Sequence, residues 1–309
     1  MGTINPGVDD QQAAHALATD PPPPVRPQAK GFWRIYVERN KMGTFGIFVL
    51  VVILLLAFVG PFFVEGENRT NIDKIYGAPS REAPLGYDHS GRDIWYQIVH
   101  GGRSLLVVSA LAALMATFIG VVLGALMALL GGWIDSTIQM LAQVIITIPG
   151  IILLGVLAAF VRLDNPLLLA FLLAITSWPG LSLAVRSQVL SLKEREYVEA
   201  ARMLDLGMSH IMFKEVLPNM MSYILINFVF AMSGAVYGQV ALYFLGLVSM
   251  SGVNWGIMIQ EAFRRGAVFN VDSMMGLLAP IFMIVMLIWA LTLVARSLED
   301  IFNPRLREL

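Results

Sequence analysis

Six stretches of this chain contain no Asp, Glu, Lys or Arg: residues 42–64, 104–134, 136–161, 165–185, 216–260 and 273–295. Together they hold 169 of the 309 residues. A helix rises about 1.5 Å per residue, so about 20 apolar residues cross the hydrocarbon of a bilayer. A soluble core does not require charge-free runs of this length, whereas an α-helical membrane protein does. The charged fraction is 14%, against roughly 25% in soluble domains. These features exclude a soluble enzyme, a nucleic-acid binder and an intrinsically disordered chain. The expected fold is an all-α membrane protein with six transmembrane helices.

The spans follow from the runs. The first is 42–64. Runs 104–134 and 136–161 are two spans separated by Gly131–Asp135, and 165–185 is the fourth. The 45-residue run 216–260 is too long for one helix. Leu217-Pro218-Asn219 punctuates its start and Ser249–Asn254 its end, which places the fifth span at about 221–247. The sixth is 273–295. The intervening segments are a cytosolic tail 1–41 (1–28 disordered), an external loop 65–103, a core domain 104–295 containing an internal loop 186–220, and a tail 296–309. With both termini in the cytoplasm, the inside segments hold 13 Lys/Arg and the outside segments 8, the expected bias. Residues 1–41 lack the short apolar stretch of a secretory signal.

What the spans lack narrows the function. No ionisable group lies deep in any of them, although ion-coupled carriers usually keep one to bind the coupling ion. The chain contains neither a His-Glu-x-x-His motif nor a phosphate-binding Gly-x-x-x-x-Gly-Lys-[Ser/Thr] loop, which argues against a membrane protease and against ATP binding by that route. Uphill transport would therefore draw on another polypeptide. The four histidines are scattered outside the runs, which argues against a metal site. Uncharged polar and aromatic side chains within the spans are the candidate substrate contacts: Gln139, Gln143, Thr147, Ser177, Trp178, Asn227, Tyr237, Gln239 and Tyr243. The same side chains also serve as packing contacts between membrane helices. Gly120-x-x-x-Gly124 and Gly234-x-x-x-Gly238 each put two glycines on one helix face, allowing close approach.

The internal loop carries the most information. Ser191-Leu192-Lys193-Glu194 has capping-box spacing, which predicts a helix from there through Leu204. Tyr197, Ala201 and Leu204 share a face with Val198 beside them, and Gly207 is placed to end the helix in a left-handed conformation. A second helical piece, 209–216, leads to Leu217-Pro218. The small face around Ala200 and Ala201, flanked by charges of both signs, suits a protein cleft better than lipid.

Glu199-Ala200-Ala201-Arg202, followed by Leu217-Pro218, resembles the "EAA" loop of ABC importer permeases. Pro84-Leu85-Gly86-Tyr87-Asp88-His89-Ser90-Gly91-Arg92-Asp93, Gly102-Arg103-Ser104-Leu105, and Phe244-Leu245-Gly246-Leu247 with Trp255-Gly256 are similar to motifs of the dipeptide, oligopeptide and nickel branch, C-type subunit. The resemblance covers about 30–305. It implies the type I importer permease fold, with 194–207 as a coupling helix that docks into a groove of an ATPase subunit. Glu199 would pair with a basic residue there, and Ala200 and Ala201 would leave room for the groove. The residues implied in coupling are Glu199, Ala200, Ala201, Arg202, Asp205, Gly207, Leu217 and Pro218. The implied partners are a second permease, two cytosolic ATPases that bind ATP and Mg, an external substrate-binding protein and membrane lipid. No cofactor and no catalytic residue is implied on this chain. The implied substrate is a di- or oligopeptide, with oligosaccharide or nickel as alternatives. Three departures from the family pattern stand out: Asp205 occupies the family's loop-glycine position, Met140 and Gln143 replace Arg and Asp, and the proline pair before Trp255 is absent.

Overall fold

The computed structural model describes residues 40–65, 68–248, 252–269 and 271–302. The expected disordered tail, the Ser249–Ser251 part of the fifth-span boundary and the last residues of the C-terminal tail lie outside these. The helices are α1 Lys41–Phe58, α2 Ile94–Leu130, α3 Gly132–Thr147, α4 Gly150–Phe160, α5 Pro166–Leu192, α6 Glu196–Met203, α7 Leu217–Phe244, α8 Trp255–Arg264 and α9 Met274–Phe302. No strand occurs among the described residues.

Five helical stretches are long and apolar enough to cross a membrane: Lys41–Phe62, Ile94–Leu130, Pro166–Leu192, Met208–Phe244 and Val271–Asp300. The expected third span is a bent pair that is long and apolar enough only when taken together, with α3 and α4 meeting at 97°; counted as one span it brings the number to six. The break falls at Ile148-Pro149, where both residues are extended rather than helical. Proline lacks an N–H and disfavours a helical residue before it.

Two spans begin earlier than the charge pattern indicates. The second helix starts at Ile94 rather than 104, because Asp93 caps it by accepting the Trp95 N–H at 2.8 Å. At 37 residues it is about 55 Å long, so its first turns project beyond the hydrocarbon and carry His100 and Arg103. The fifth span runs unbroken from Met208, with a π-helical stretch Ile211–Val216 feeding α7. Pro218 does not interrupt it; it comes just after the π-helical stretch, whose widened turn is where the hydrogen-bond ladder changes register.

Close packing of α2 on α5 organises the bundle. A Cβ on Gly124 would lie 2.6 Å from the Ser182 carbonyl oxygen, and one on Gly120 would lie 2.9 Å from Leu181 Cγ. The first Gly-x-x-x-Gly pair is thus spent inside the chain. Of the second pair, Gly238 abuts Leu173 while Gly234 faces open space. Helix α1 lies on α9, where Gly46 meets Leu293. Three apolar clusters form the core. One joins α1, α2, α7, α8 and α9, and one joins α2, α4, α5 and α7. The third joins the ends of α2 and α5 to α6 and the start of α7.

Candidate functional site

The loop between α5 and α7 is compact. Helix α5 runs through the expected cap Ser191 to Leu192, because Val185 and Val189 are buried and Lys193 Nζ donates to the Ala128 carbonyl at 2.9 Å. Packing here outweighs the capping box. Helix α6 therefore starts at Glu196, with Arg195 as its uncapped N-terminus. Glu196 and Glu199 lie in its first turn and Arg202 in its last, each sign matching the helix dipole.

The buried face of α6 is Val198 and Ala201, which pack within the chain against Ile211, Met212 and Val216 and the end of α5. The expected shared face of Tyr197, Ala201 and Leu204 is corrected accordingly. Ala201 is turned inward and cannot leave room for a partner, while Leu204 is 73% exposed. Tyr197, Glu199, Ala200, Arg202, Met203, Asp205 and Met208 form the outward surface. The left-handed turn also moves. Asp205 has φ 54°, whereas Gly207 has φ −57° and opens the next helical turn. Aspartate tolerates this conformation better than most side chains, and the Leu206 N–H bonds back to the Ala201 carbonyl at 3.1 Å. Leu217 is half-buried and Pro218 exposed.

The structure divides the candidate substrate contacts. Gln139, Gln143 and Thr147 repeat at i, i+4 along α3 in line with Asp135. Gln139 Nε2 donates to Asp135 Oδ1 at 2.8 Å, and Thr147 Oγ1 donates to the Gln143 carbonyl at 2.8 Å. Gln143 and Thr147 are exposed. Ser177 on α5 and Tyr237 on α7 are also exposed, and Asn227 is half-buried with its amide on the Tyr223 carbonyl. Gln239, Tyr243 and Trp178 are corrected, because all three are buried inside this chain and cannot line a pathway. Ser109 Oγ donates to Gln239 Oε1 at 3.2 Å, tying α2 to α7, and Tyr243 packs under Gly256 of α8.

At the same end of the bundle as α6, Arg186 of α5 donates from Nε and Nη2 to the two oxygens of Asp135, each at 2.6 Å. Sequence reasoning did not single out this pair.

The Pro84–Asp93 motif at the other end is a clasp. Asp88 Oδ1 accepts the Ser90 and Arg92 N–H groups at 2.7 and 3.0 Å, and Oδ2 accepts Arg92 Nε at 2.8 Å and Gln97 Nε2 at 2.9 Å. Arg92 also bonds Glu261 on α8. A Cβ on Gly91 would lie 1.8 Å from the Asn71 carbonyl oxygen, which leaves glycine as the residue that fits. Asp88, His89 and Glu261 are close enough to surround a metal. However, Asp88 already accepts four hydrogen bonds and the Arg92 guanidinium joins both carboxylates, so the residues fit an ion-pair clasp. Burial pushes the Asp93 carboxyl above its ordinary value, against the N–H groups of Trp95 and Tyr96 that favour its charge.

Residues 120–308 match the family model described as the binding-protein-dependent transport system inner membrane component. Residues 28–79 match the N-terminal transmembrane domain of oligopeptide transport permease C. The chain is 30% identical over 278 residues to a dipeptide transport system permease protein of Bacillus subtilis, covering 89% of this chain and 85% of that one. It is 29% identical to an oligopeptide transport system permease protein of the same organism, covering 87% of each. It is also 29% identical to a glutathione transport system permease protein of Pectobacterium atrosepticum, covering 92% and 93%. With its membrane-crossing helices and its loop between α5 and α7, the chain belongs to the family of binding-protein-dependent transport system inner membrane components.

Proposed function

We propose that this chain is one transmembrane half of an ATP-driven peptide importer in the cytoplasmic membrane, with both termini in the cytoplasm. The observation that carries the reading is the two-sided α6. Val198 and Ala201 anchor it within the chain, while Tyr197, Glu199, Ala200, Arg202, Met203 and Leu204 stand outward on the same short helix. An exposed surface of mixed apolar and charged character on a rigidly seated helix suits docking into an ATPase groove, and ATP and Mg would be bound there. The pair of ATPases, rather than this chain, would perform hydrolysis. The external binding protein would deliver the substrate.

The bent pair supports a second permease subunit. Helix α3 buries only Ala142 and α4 only Ala158, so most of their surface is left for another chain or for lipid. The Gln139–Gln143–Thr147 stripe offers amide and hydroxyl groups without a fixed charge. That chemistry pairs with peptide backbone groups whatever the side chains. The relatives named for dipeptide, oligopeptide and glutathione transport support the same substrate class.

The test is tagged purification of this chain with the subunits encoded beside it, followed by reconstitution in proteoliposomes. ATPases should co-purify, and uptake of a labelled dipeptide or of glutathione should require ATP and the binding protein. ATP-independent uptake, or hydrolysis by this chain alone, would overturn the reading.

A further inference from the structure

We infer that the Asp135–Arg186 ion pair is the link through which α6 moves α3, the helix that carries the polar stripe. The inference rests on the importer reading above and names the residues that would transmit ATPase motion to the pathway.

The geometry supplies each connection. Val198 and Ala201 of α6 share one apolar cluster with Val185 and Val189 of α5, the residues that bracket Arg186. Lys193 pins the same end of α5 to the Ala128 carbonyl at the end of α2. A displacement of α6 therefore reaches the α5 end through close-packed atoms, which transmit strain rather than absorb it. Arg186 then holds Asp135 by two parallel hydrogen bonds of 2.6 Å. A bidentate pair fixes orientation as well as distance, which a single ammonium contact does not.

The receiving helix is built to respond. Among the described residues, this is the charged contact between α3 and α5. Gly131 caps helix α3 and Gly132 opens it, with φ 61° and 56°, and no atom lies within 4 Å of a Cβ placed on either. Two uncrowded glycines make a pivot. At its far end the 97° break separates α3 from α4, so α3 can tilt as a unit. Asp135 also accepts from Gln139, so the pair continues directly into the stripe. Arg186 is in these terms a positioning residue.

The chain has no cysteine, so Ile151→Cys beside the elbow supplies the one thiol of this subunit, and its labelling is read on the subunit separated by gel. In the complex purified with its ATPases, the rate of labelling by a maleimide should differ between the nucleotide-free and ATP–vanadate states. A severalfold change in that rate is expected, since the elbow is exposed in the resting chain and moves with α3. Arg186→Gln and Asp135→Asn should abolish that difference while the ATPases remain bound. Arg186→Lys should reduce it, and the exchanged pair Asp135→Arg/Arg186→Asp should restore it. A full response in Arg186→Gln overturns the inference, as does an exchanged pair that assembles without responding. Loss of the ATPases from Arg186→Gln would make the pair an assembly contact and overturn it too. If the unaltered chain retains no ATPase, the importer reading falls first, and this link falls with it.

Discussion

Trp255 donates its indole N–H to the Ile98 carbonyl at 2.8 Å, joining α8 to the projecting part of α2 across 157 residues of sequence. The indole is fully buried and lies against Gly101 and Gly102 of α2. A Cβ on Gly102 would sit 2.7 Å from the ring. Trp255→Phe should lower the melting temperature of the detergent-solubilised protein, costing about 1–3 kcal/mol for the lost bond and the buried carbonyl left with one partner fewer. Gly102→Ala should cost about 1–3 kcal/mol by overpacking. The double variant should be less destabilised than the two added, because the smaller ring relieves the crowding. Strict additivity would show that the two residues do not share this contact.

The two Gly-x-x-x-Gly pairs should behave differently under the same substitution. Gly124→Ala forces a methyl against the Ser182 carbonyl and should destabilise by about 1–3 kcal/mol, by the overpacking cost of a tight core. Gly234→Ala meets open space in this chain and should leave the solubilised subunit as stable as before. Thermal unfolding of both variants measures this, and equal losses would contradict the packing described.

The two faces of α6 should separate folding from docking. Ala201→Arg should destabilise the loop itself, since its side chain enters the apolar cluster around Val198, Met212 and Val216. Burying an unpaired charge there costs several kcal/mol. Met203→Asp and Leu204→Asp change exposed positions and should leave thermal stability within about 0.5 kcal/mol while releasing the ATPases. Limited proteolysis distinguishes the classes: the loop should be cut faster in Ala201→Arg only. Glu199→Ala should be milder, because an exposed ion pair contributes about 1 kcal/mol or less.

Orientation is open to direct labelling. Ser80→Cys should react with an impermeant thiol reagent on intact cells, while Ser191→Cys and Ser209→Cys should react only after the membrane is opened. All three positions are exposed in this chain. The reverse pattern would invert the orientation.

Raised by burial, the Asp93 carboxyl carries a signed pH effect. At pH values between its unfolded and its higher folded value, the folded state holds the proton more tightly, so stability falls as pH rises through that window. Asp93→Asn keeps a side-chain oxygen for the α2 cap and should remove this contribution. Unfolding measured across the carboxylate range checks it, and an unchanged profile would assign the dependence elsewhere.

Membrane helices, their approximate number and the family were legible in the sequence, because each rests on local chemistry. A charge-free run must leave water whatever its neighbours do, and the Glu199-Ala200-Ala201 and Pro84–Asp93 strings are contiguous. Which face of α6 is buried was not legible. Ala201 and Leu204 share a helical face on paper, and only the presence of Met212 and Val216 beneath Val198 decides that Ala201 turns inward. Likewise, Gln139 and Gln239 are the same residue type within charge-free runs. One belongs to an open stripe and the other is sealed against Ser109, a difference created by the approach of α2 and α7. Asp135 and Arg186 lie 51 residues apart, and nothing in either local sequence marks the partner. Their pairing follows from the packing of α2 on α5 through Gly120 and Gly124, which brings the two helix ends to one place. Periodicity and charge determine what each segment must avoid. Close packing between distant segments decides what each side chain meets.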